Sequence, residues 1–313
     1  MTFDPKTTAF VFPGQGSQAV GMGRDLATAF PAARVVFDEA DSVLGFSFSK
    51  IMWEGPDSDL NDTLNTQPAL FTHSLAAYRA FQSLAPNMSP VYMAGHSLGQ
   101  LSAISAAGGL SFADGLRLVR KRGELMKRAG EINPGGMAAI LGVDIPTLDS
   151  VCAAASTKDE IVQVANDNCP GQVVISGHKA ALERAMLGAK AAGAKRALPL
   201  AVSIAAHSPL MDSIQAEWNQ AVTAAAFMDV AIPVVGNVVA SPLVSAAELR
   251  ADVIAQMQSR VRWTESIKWM TSQGVTNFVE VGNGTVLGGL VKRIAEGVVS
   301  FPMGNPVDFE IFR

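Results

Sequence analysis

The sequence has few cysteines, few charged residues and no long apolar run, and each shortage excludes a class of protein. Two cysteines, Cys152 and Cys169, occur among 313 residues, too few for a framework of disulfides or of metal ligands. No apolar run is long enough to span a bilayer, and the segment Met1–Lys6 lacks the basic and apolar pattern of a signal peptide. We therefore expect a cytoplasmic protein that is not inserted in a membrane.

Charge and hydrophobicity narrow the class further. The formal net charge of −4 leaves no polycationic surface of the kind that binds nucleic acid. Hydrophobic residues make up 49% of the chain and charged residues 17%, which predicts a sizeable core and no extended disorder. A chain of this length folds as one large domain, or as one large domain with a small one.

The stretch Gly95-His96-Ser97-Leu98-Gly99 carries the clearest chemical signal. It lies between a strand-like apolar run and a helix-compatible run of small residues, which is the context of a nucleophile elbow. In such a turn, glycines let strand and helix pass closely, and the helix N-terminus directs N–H groups toward the serine. A bare Gly-x-Ser-x-Gly match is common by chance and also fits a simple turn. The strand–turn–helix context favours a nucleophile.

A glycine-rich loop follows the first predicted strand, Thr8–Phe12. Its sequence, Pro13-Gly14-Gln15-Gly16, has the wrong spacing for a P-loop or a dinucleotide-binding loop. The loop is either an ordinary strand–helix turn or one whose backbone N–H groups face a reacting oxygen. By itself the pattern favours the turn, and the other interpretation gains weight only if the fold places the loop beside Ser97.

The order of predicted elements indicates an α/β fold with an inserted unit. Residues 134–200 have the βαββαβ order of ferredoxin-like domains, and residues 133–136, Asn-Pro-Gly-Gly, look like the linker into them. We predict a large, hydrolase-like domain with a parallel sheet from residues 1–133 and 201–313, and a small ferredoxin-like domain from residues 134–200. In the large domain we expect one helix over residues 25–44, a helix that starts at residues 65–68 with Gln67 as a cap residue and no more, and a last parallel strand at residues 277–281.

One of the four histidines looks like a base that could activate a serine. His73 falls in a helix, His96 in the elbow and His178 at a helix start, whereas His207 precedes a Ser-Pro pair. A histidine there is often a cap or surface residue, but with an elbow in the same chain a pair with Ser97 is favoured. The α/β-hydrolase order of serine, acid and then histidine near the C-terminus fits poorly. A backbone carbonyl could orient the imidazole in place of an acid.

Seven segments, in this order, resemble the family of malonyl-CoA:acyl carrier protein transacylases. They are Phe12–Gln18, Thr66–Ala69, Gly95–Gly99, Arg122-Gly123, Asn168–Gly177, His207–Met211 and Glu280–Gly282. The resemblance covers nearly the whole chain. It implies a monomeric acyltransferase of fatty-acid synthesis that moves malonyl from malonyl-CoA to the phosphopantetheine thiol of an acyl carrier protein. The implied reaction is ping-pong, passes through a serine ester and needs neither a cofactor nor a metal.

The resemblance also implies roles for individual residues. Ser97 would carry the malonyl ester, and His207 would be the general base and acid. The backbone carbonyl of Gln256 would accept a hydrogen bond from the histidine. Gln15 and Leu98 would donate backbone N–H groups to the oxyanion.

Arg122, together with Gln15, would bind the malonyl group. Spacing alone does not distinguish Arg122 from Arg117 and Arg120 on the same basic helix. A guanidinium fork matches a carboxylate in a bidentate fashion. An acyl group without a carboxylate would leave a buried arginine unpaired, at a cost of about 3–5 kcal/mol, so acetyl-CoA should be rejected.

Three positions depart from the family's usual pattern. Gln100 stands where the family usually has Glu, which removes a negative charge near the site. Asn283 and Thr285 occupy a loop where Pro and Lys are usual, which removes one possible contact to CoA or the carrier. Ala206 is small where a bulkier residue often limits the α-substituent, so some turnover of methylmalonyl-CoA is a hypothesis.

Other functions stay open on the sequence alone. A serine hydrolase or thioesterase would share the elbow, although Arg122 argues against an apolar acyl pocket. A non-catalytic carrier-binding module is disfavoured because Ser97 and His207 are both present. Within the family, the pattern also fits a malonate decarboxylase subunit or a malonyl or methylmalonyl transacylase of polyketide synthesis.

Overall fold

The computed structural model describes residues 4–312, and the side chains of residues 4–310. The described chain forms two sheets with helices packed on them. The strands are β1 Thr8–Phe12, β2 Tyr92–Gly95, β3 Gly135–Leu141, β4 Val162–Cys169, β5 Gln172–His178, β6 Arg196–Pro199, β7 Val234–Val235, β8 Pro242–Leu243, β9 Asn277–Val281 and β10 Val299–Met303. The helices are α1 Arg24–Ala29, α2 Pro31–Leu44, α3 Phe48–Glu54, α4 Asp57–Asn61, α5 Thr63–Leu84, α6 Gly99–Ala106, α7 Phe112–Ile132, α8 Ile145–Ala155, α9 Lys179–Ala191, α10 Asp212–Ala224, α11 Ala246–Gln256, α12 Trp263–Ser272 and α13 Val286–Ile294, with 3₁₀ turns at Pro5–Thr7, Pro209–Met211 and Pro306–Phe312.

The larger sheet has the order β10-β9-β1-β2-β7-β8, and all of its pairs are parallel except β7 with β8. Strand β1 is buried along its whole length, as expected of a continuous apolar run with helices on both faces of a parallel sheet. Phe12 pairs with Gly95, so β1 and β2 end at the same edge. The glycine-rich loop after β1 therefore lies beside the elbow after β2.

The smaller sheet is antiparallel with the order β4-β5-β3-β6. It has its own buried cluster, which includes Ile140, Leu148, Val164 and Ile175. The predicted linker at residues 133–136 is wrong in its last two residues, because β3 begins at Gly135. A Cβ on Gly135 would lie 2.7 Å from the Gly177 carbonyl oxygen, so glycine permits close strand pairing here.

Two sequence expectations about the large domain, one helix over residues 25–44 and a last strand at residues 277–281, need correction. The single helix expected over residues 25–44 is two helices, because Phe30 is extended and Pro31 starts a new first turn. Strand β9 is present as predicted, but it is followed by a further parallel strand, β10. Strand β10 is an edge strand and only partly buried, so its sequence carries a weak apolar pattern.

Helix α5 begins earlier than the sequence indicated. Its N-cap is Asp62, whose side chain accepts a hydrogen bond from Leu64 N, and Pro68 lies inside the helix. Proline cannot donate to the carbonyl of residue 64; Arg120 donates to that oxygen instead, at 3.1 Å. Gln67 is therefore not a cap residue but a buried helical side chain. No helix in residues 4–312 combines the length and the apolarity needed to cross a membrane.

Candidate active site

Ser97 lies in a tight turn between β2 and α6. Its φ of 53° is in the left-handed region, which a non-glycine residue occupies at an energetic cost. A Cβ on Gly95 would lie 1.9 Å from the Gly99 carbonyl, and a Cβ on Gly99 would lie 2.1 Å from the Phe12 oxygen. Both glycines of the elbow are thus required by close backbone approach.

The structure brings Ser97 and His207 together although they are far apart in the chain. Ser97 Oγ and His207 Nε2 are 2.8 Å apart, and His207 Nδ1 is 2.8 Å from the Gln256 carbonyl oxygen. A carbonyl only accepts hydrogen bonds, so Nδ1 carries the proton and Nε2 is free to accept the serine proton. The backbone of His207 also has a left-handed φ of 58°, and its N–H donates to the Met257 oxygen at 3.0 Å.

The imidazole of His207 is almost completely buried. Burial, and then the positive charge of Arg122, lower its pKa from 6.5 to about 3, against the opposing hydrogen bond to the Gln256 carbonyl. The histidine is therefore neutral at physiological pH, which is the form that can take a proton from Ser97.

Arg122 projects from α7 toward the Ser97 hydroxyl and is 1% exposed. Its Nη2 is 3.1 Å from Ser97 Oγ and 2.9 Å from Gln256 Oε1, and its Nη1 is 3.0 Å from Gln67 Oε1. Its Nε is buried without a partner, and no acid forms an ion pair with it within the described residues. Burial lowers the pKa of the guanidinium to about 10. A buried cation without a counter-charge is a site for an anionic group.

Sequence reasoning missed Gln67. Its Oε1 accepts from Arg122, and its Nε2 lies 3.0 Å from Met126 Sδ. The only signal was its place in the segment Thr66–Ala69, because a residue before proline reads locally as a helix boundary.

Gln15 and Leu98 lie at the same cavity as Ser97, Arg122 and His207. In the part of the chain that the structure describes, the backbone N–H groups of Gln15 and Leu98 donate to no other residue. The side chain of Gln15 donates weakly to Thr63 Oγ1 at 3.4 Å. Two residues that line the cavity with Ser97 therefore have backbone N–H groups without an acceptor in the described part of the chain.

The cavity has a volume of about 240 Å³ and lies between the two sheets. Besides the residues already named, its lining includes apolar side chains and two amides: Met126, Met137, Leu200, Ile204, Ala206, Asn166 and Asn168. Residues 4–312 contain no group of three or more histidine, cysteine or acidic side chains placed to hold a metal ion.

The remaining singled-out residues have structural partners. His73 Nε2 donates a hydrogen bond to the Gly304 carbonyl, His96 Nε2 donates to Asn168 Oδ1, and His178 Nδ1 accepts from the Ile161 N–H. At the positions that depart from the family's usual pattern, Gln100 donates to Asp252, Asn283 donates to the Ser17 carbonyl, and Thr285 is the N-cap residue of α13.

Comparison with known proteins gives one consistent family. Residues 9–296 match the Acyl transferase domain. The chain is 43% identical over 303 residues to the malonyl CoA-acyl carrier protein transacylase of Bacillus subtilis (strain 168), covering 97% of this chain and 95% of that protein. Among solved structures, an acyl carrier protein S-malonyltransferase from Vibrio cholerae has a TM-score of 0.95 at 41% identity, covering 98% and 100% of the two chains. A malonyl-transacylase in complex with its type II PKS acyl-carrier protein has a TM-score of 0.92 at 42% identity, covering 96% and 97%. These similarities extend over both sheets.

Proposed function

The chain belongs to the acyl transferase domain family, and on that premise we propose that it moves a malonyl group from malonyl-CoA to the phosphopantetheine thiol of an acyl carrier protein. The observation that carries this proposal is the position of the Arg122 guanidinium, which forms no ion pair with a described residue and lies 3.1 Å from the hydroxyl of Ser97. A hydrolase that accepts any acyl ester would gain nothing from a buried cation beside its nucleophile. An enzyme whose acyl substrate has a free carboxylate at its far end would use that cation to bind the carboxylate.

In the first half-reaction, Ser97 Oγ attacks the thioester carbonyl carbon while His207 Nε2 takes the hydroxyl proton. The carbonyl oxygen becomes negative in the tetrahedral intermediate. The N–H groups of Gln15 and Leu98 would stabilise that charge, since both residues line the cavity and their N–H groups donate to no other described residue. When the intermediate collapses, the C–S bond breaks and His207 returns the proton to the CoA sulfur. A malonyl ester remains on Ser97.

The second half-reaction repeats the first with the carrier thiol as nucleophile. His207 takes the thiol proton, the sulfur attacks the ester carbonyl, and the proton returns to Ser97 Oγ as the C–O bond breaks. A thioester is consumed and a thioester is made, so the exchange requires no energy source. The Gln256 carbonyl accepts from Nδ1 in each step, so that Nε2 is the nitrogen that takes up and returns the proton.

The proposed function is tested by intact-mass measurement. Mixing the protein with malonyl-CoA should add one malonyl group, and adding a holo carrier protein should move that group to the carrier. Release of free malonate faster than transfer would identify a hydrolase instead. A chain that gains no malonyl mass would overturn the proposed function.

The acylation rate should be insensitive to pH over the range in which a histidine normally titrates. The pKa of His207 is lowered to about 3, so the base stays neutral as the pH falls through 6.5, the ordinary histidine value. We expect the rate constant of the acylation burst with malonyl-CoA to change less than about twofold between roughly pH 5.5 and 8. Rapid-quench measurements would reveal an inflection near 6.5 if the histidine were instead solvated and protonated in that range.

Several finer points belong to the same proposal. Residues 134–200 would be an inserted ferredoxin-like domain, which the strand order β4-β5-β3-β6 and the packing of α8 and α9 support. We also propose that the protein is a cytoplasmic monomer that uses no cofactor. Ala206 lines the cavity, and we still predict some turnover of methylmalonyl-CoA because this side chain is small. Fatty-acid synthesis is the proposed pathway, with polyketide and malonate decarboxylase systems as the alternatives.

A further inference from the structure

A chain of side-chain hydrogen bonds leads from Arg122 to a buried carboxylate. Arg122 Nη2 donates to Gln256 Oε1 at 2.9 Å, Gln256 Nε2 donates to Gln100 Oε1 at 2.5 Å, and Gln100 Nε2 donates to Asp252 Oδ2 at 2.6 Å. All four residues are at most 4% exposed. This series of hydrogen bonds thus has a cation at one end, a carboxylate at the other, and two amides between them.

The carboxylate of Asp252 faces only donors among its hydrogen-bonding partners. Besides Gln100, the backbone N–H groups of Asn237, Val238 and Val239 donate to its two oxygens at 3.0 to 3.4 Å. Burial raises the pKa of this carboxyl, and these four donors oppose the rise. Each of these partners donates to the carboxyl group, which is the arrangement that favours its ionised form.

The two charges determine which way each amide points. The Gln256 oxygen faces the guanidinium, and the Gln100 amino group faces the carboxylate. Turning either amide over would set N–H against N–H at one contact and oxygen against oxygen at another. Aligned amide dipoles reinforce one another in a buried chain, so the carboxylate and the guanidinium together hold a single arrangement.

The Gln256 side chain is the junction between this chain and the reacting groups. Its Nε2 also donates to the Ser97 carbonyl at 3.0 Å, and its own backbone carbonyl accepts from His207 Nδ1. A second branch runs from Asp252 through Asn237, whose Oδ1 accepts from Ser97 N at 2.8 Å. The carboxylate therefore reaches the elbow along two routes.

We propose that Asp252 is a positioning residue that acts on the site through Gln100 and Gln256. By fixing the Gln256 side chain, it sets the position of the Arg122 guanidinium beside Ser97. The inference rests on the proposed function, because its readout is the selectivity between malonyl and acetyl groups.

The test first interrupts the hydrogen bonds between Arg122 and Asp252, and then moves the carboxylate from position 252 to position 100. Gln100→Met removes the link but leaves the three backbone donors on Asp252. Asp252→Asn removes the charge, and Gln100→Glu sets a second carboxylate against the first. The double variant Gln100→Glu/Asp252→Asn keeps one carboxylate and restores a donor–acceptor pair between the two positions. Asp159→Asn, on an exposed loop, is the control for loss of one negative charge.

The measurement is the second-order rate constant for acylation of Ser97 by malonyl-CoA and by acetyl-CoA. We expect each single variant at positions 100 and 252 to lower the malonyl rate about tenfold, as for loss of one charge-assisted hydrogen bond. The acetyl rate should fall less, so the malonyl-to-acetyl ratio should drop. The double variant should recover to within about threefold of the parent, and the control should match the parent.

Three outcomes would overturn the inference. The single variants could retain the parent's rates, both rates could fall together with an unchanged ratio, or the double variant could be as slow as the slower single variant. If Asp252→Asn fails to fold, Gln100→Met and the double variant decide the question by the same ratio. A parent enzyme that forms no malonyl ester would instead contradict the proposed function, so the two failures are distinguishable.

Discussion

Replacement of Ser97 by alanine is expected to abolish the malonyl adduct and to lower the transfer rate by at least about 10⁴-fold. The hydroxyl oxygen is the atom that would hold the acyl group, and no neighbouring side chain in the elbow can take over that role. Intact-mass spectra after mixing with malonyl-CoA measure the adduct, and transfer to a holo carrier protein measures the rate.

Ser102→Ala is a matched control for that experiment. Ser102 lies on α6, the helix that follows the elbow, is fully buried, and its Oγ has no hydrogen-bond partner among the described residues. Its replacement removes a nearby hydroxyl that does not line the cavity. The control should acquire one malonyl group like the parent. A malonyl adduct of normal yield on the Ser97→Ala variant would show that another residue is the nucleophile.

Replacement of Arg122 by alanine is expected to shift the preference from malonyl toward acetyl groups. Loss of a buried cation that pairs with the substrate carboxylate costs about 3–5 kcal/mol, so kcat/KM for malonyl-CoA should fall roughly 10²- to 5 × 10³-fold. Acetyl-CoA brings no carboxylate to pair, and its kcat/KM should fall much less or rise. Parallel steady-state measurements with the two thioesters give the ratio directly.

Two further variants separate the guanidinium's geometry from its charge. Arg122→Lys keeps the positive charge but loses the fork that binds a carboxylate through two N–H groups, so its selectivity should lie between those of the parent and the alanine variant. Arg117→Ala, whose side chain is 62% exposed on the same helix, should leave selectivity unchanged. Full malonyl preference in the Arg122→Ala variant would refute the role proposed for this arginine.

The sequence predicted the elements whose signals are local. A buried strand, a turn flanked by two required glycines and a helix N-terminus follow one another in the sequence, so a short segment is enough to predict the elbow at Ser97. Apolar runs likewise indicated β1 and β9. Edge strand β10 was not predicted because it is only partly buried and has a weak apolar pattern. The proline inside α5 was not predicted because Arg120, from a different helix, donates to the carbonyl that the proline leaves free.

Chemical composition and local pattern therefore determined by themselves that this is an α/β protein with a serine in a strained turn and a histidine suited to be its base. Only the tertiary structure decided which arginine of α7 points inward and that Gln67 is its partner. It also decided that Asp252 places a carboxylate next to Gln100, the position at which the sequence has lost the family's usual glutamate. The physical reason is that an elbow is built from consecutive residues. The partners of a buried charge are chosen by packing among α5, α6, α7 and α11, whose contacts no local pattern records.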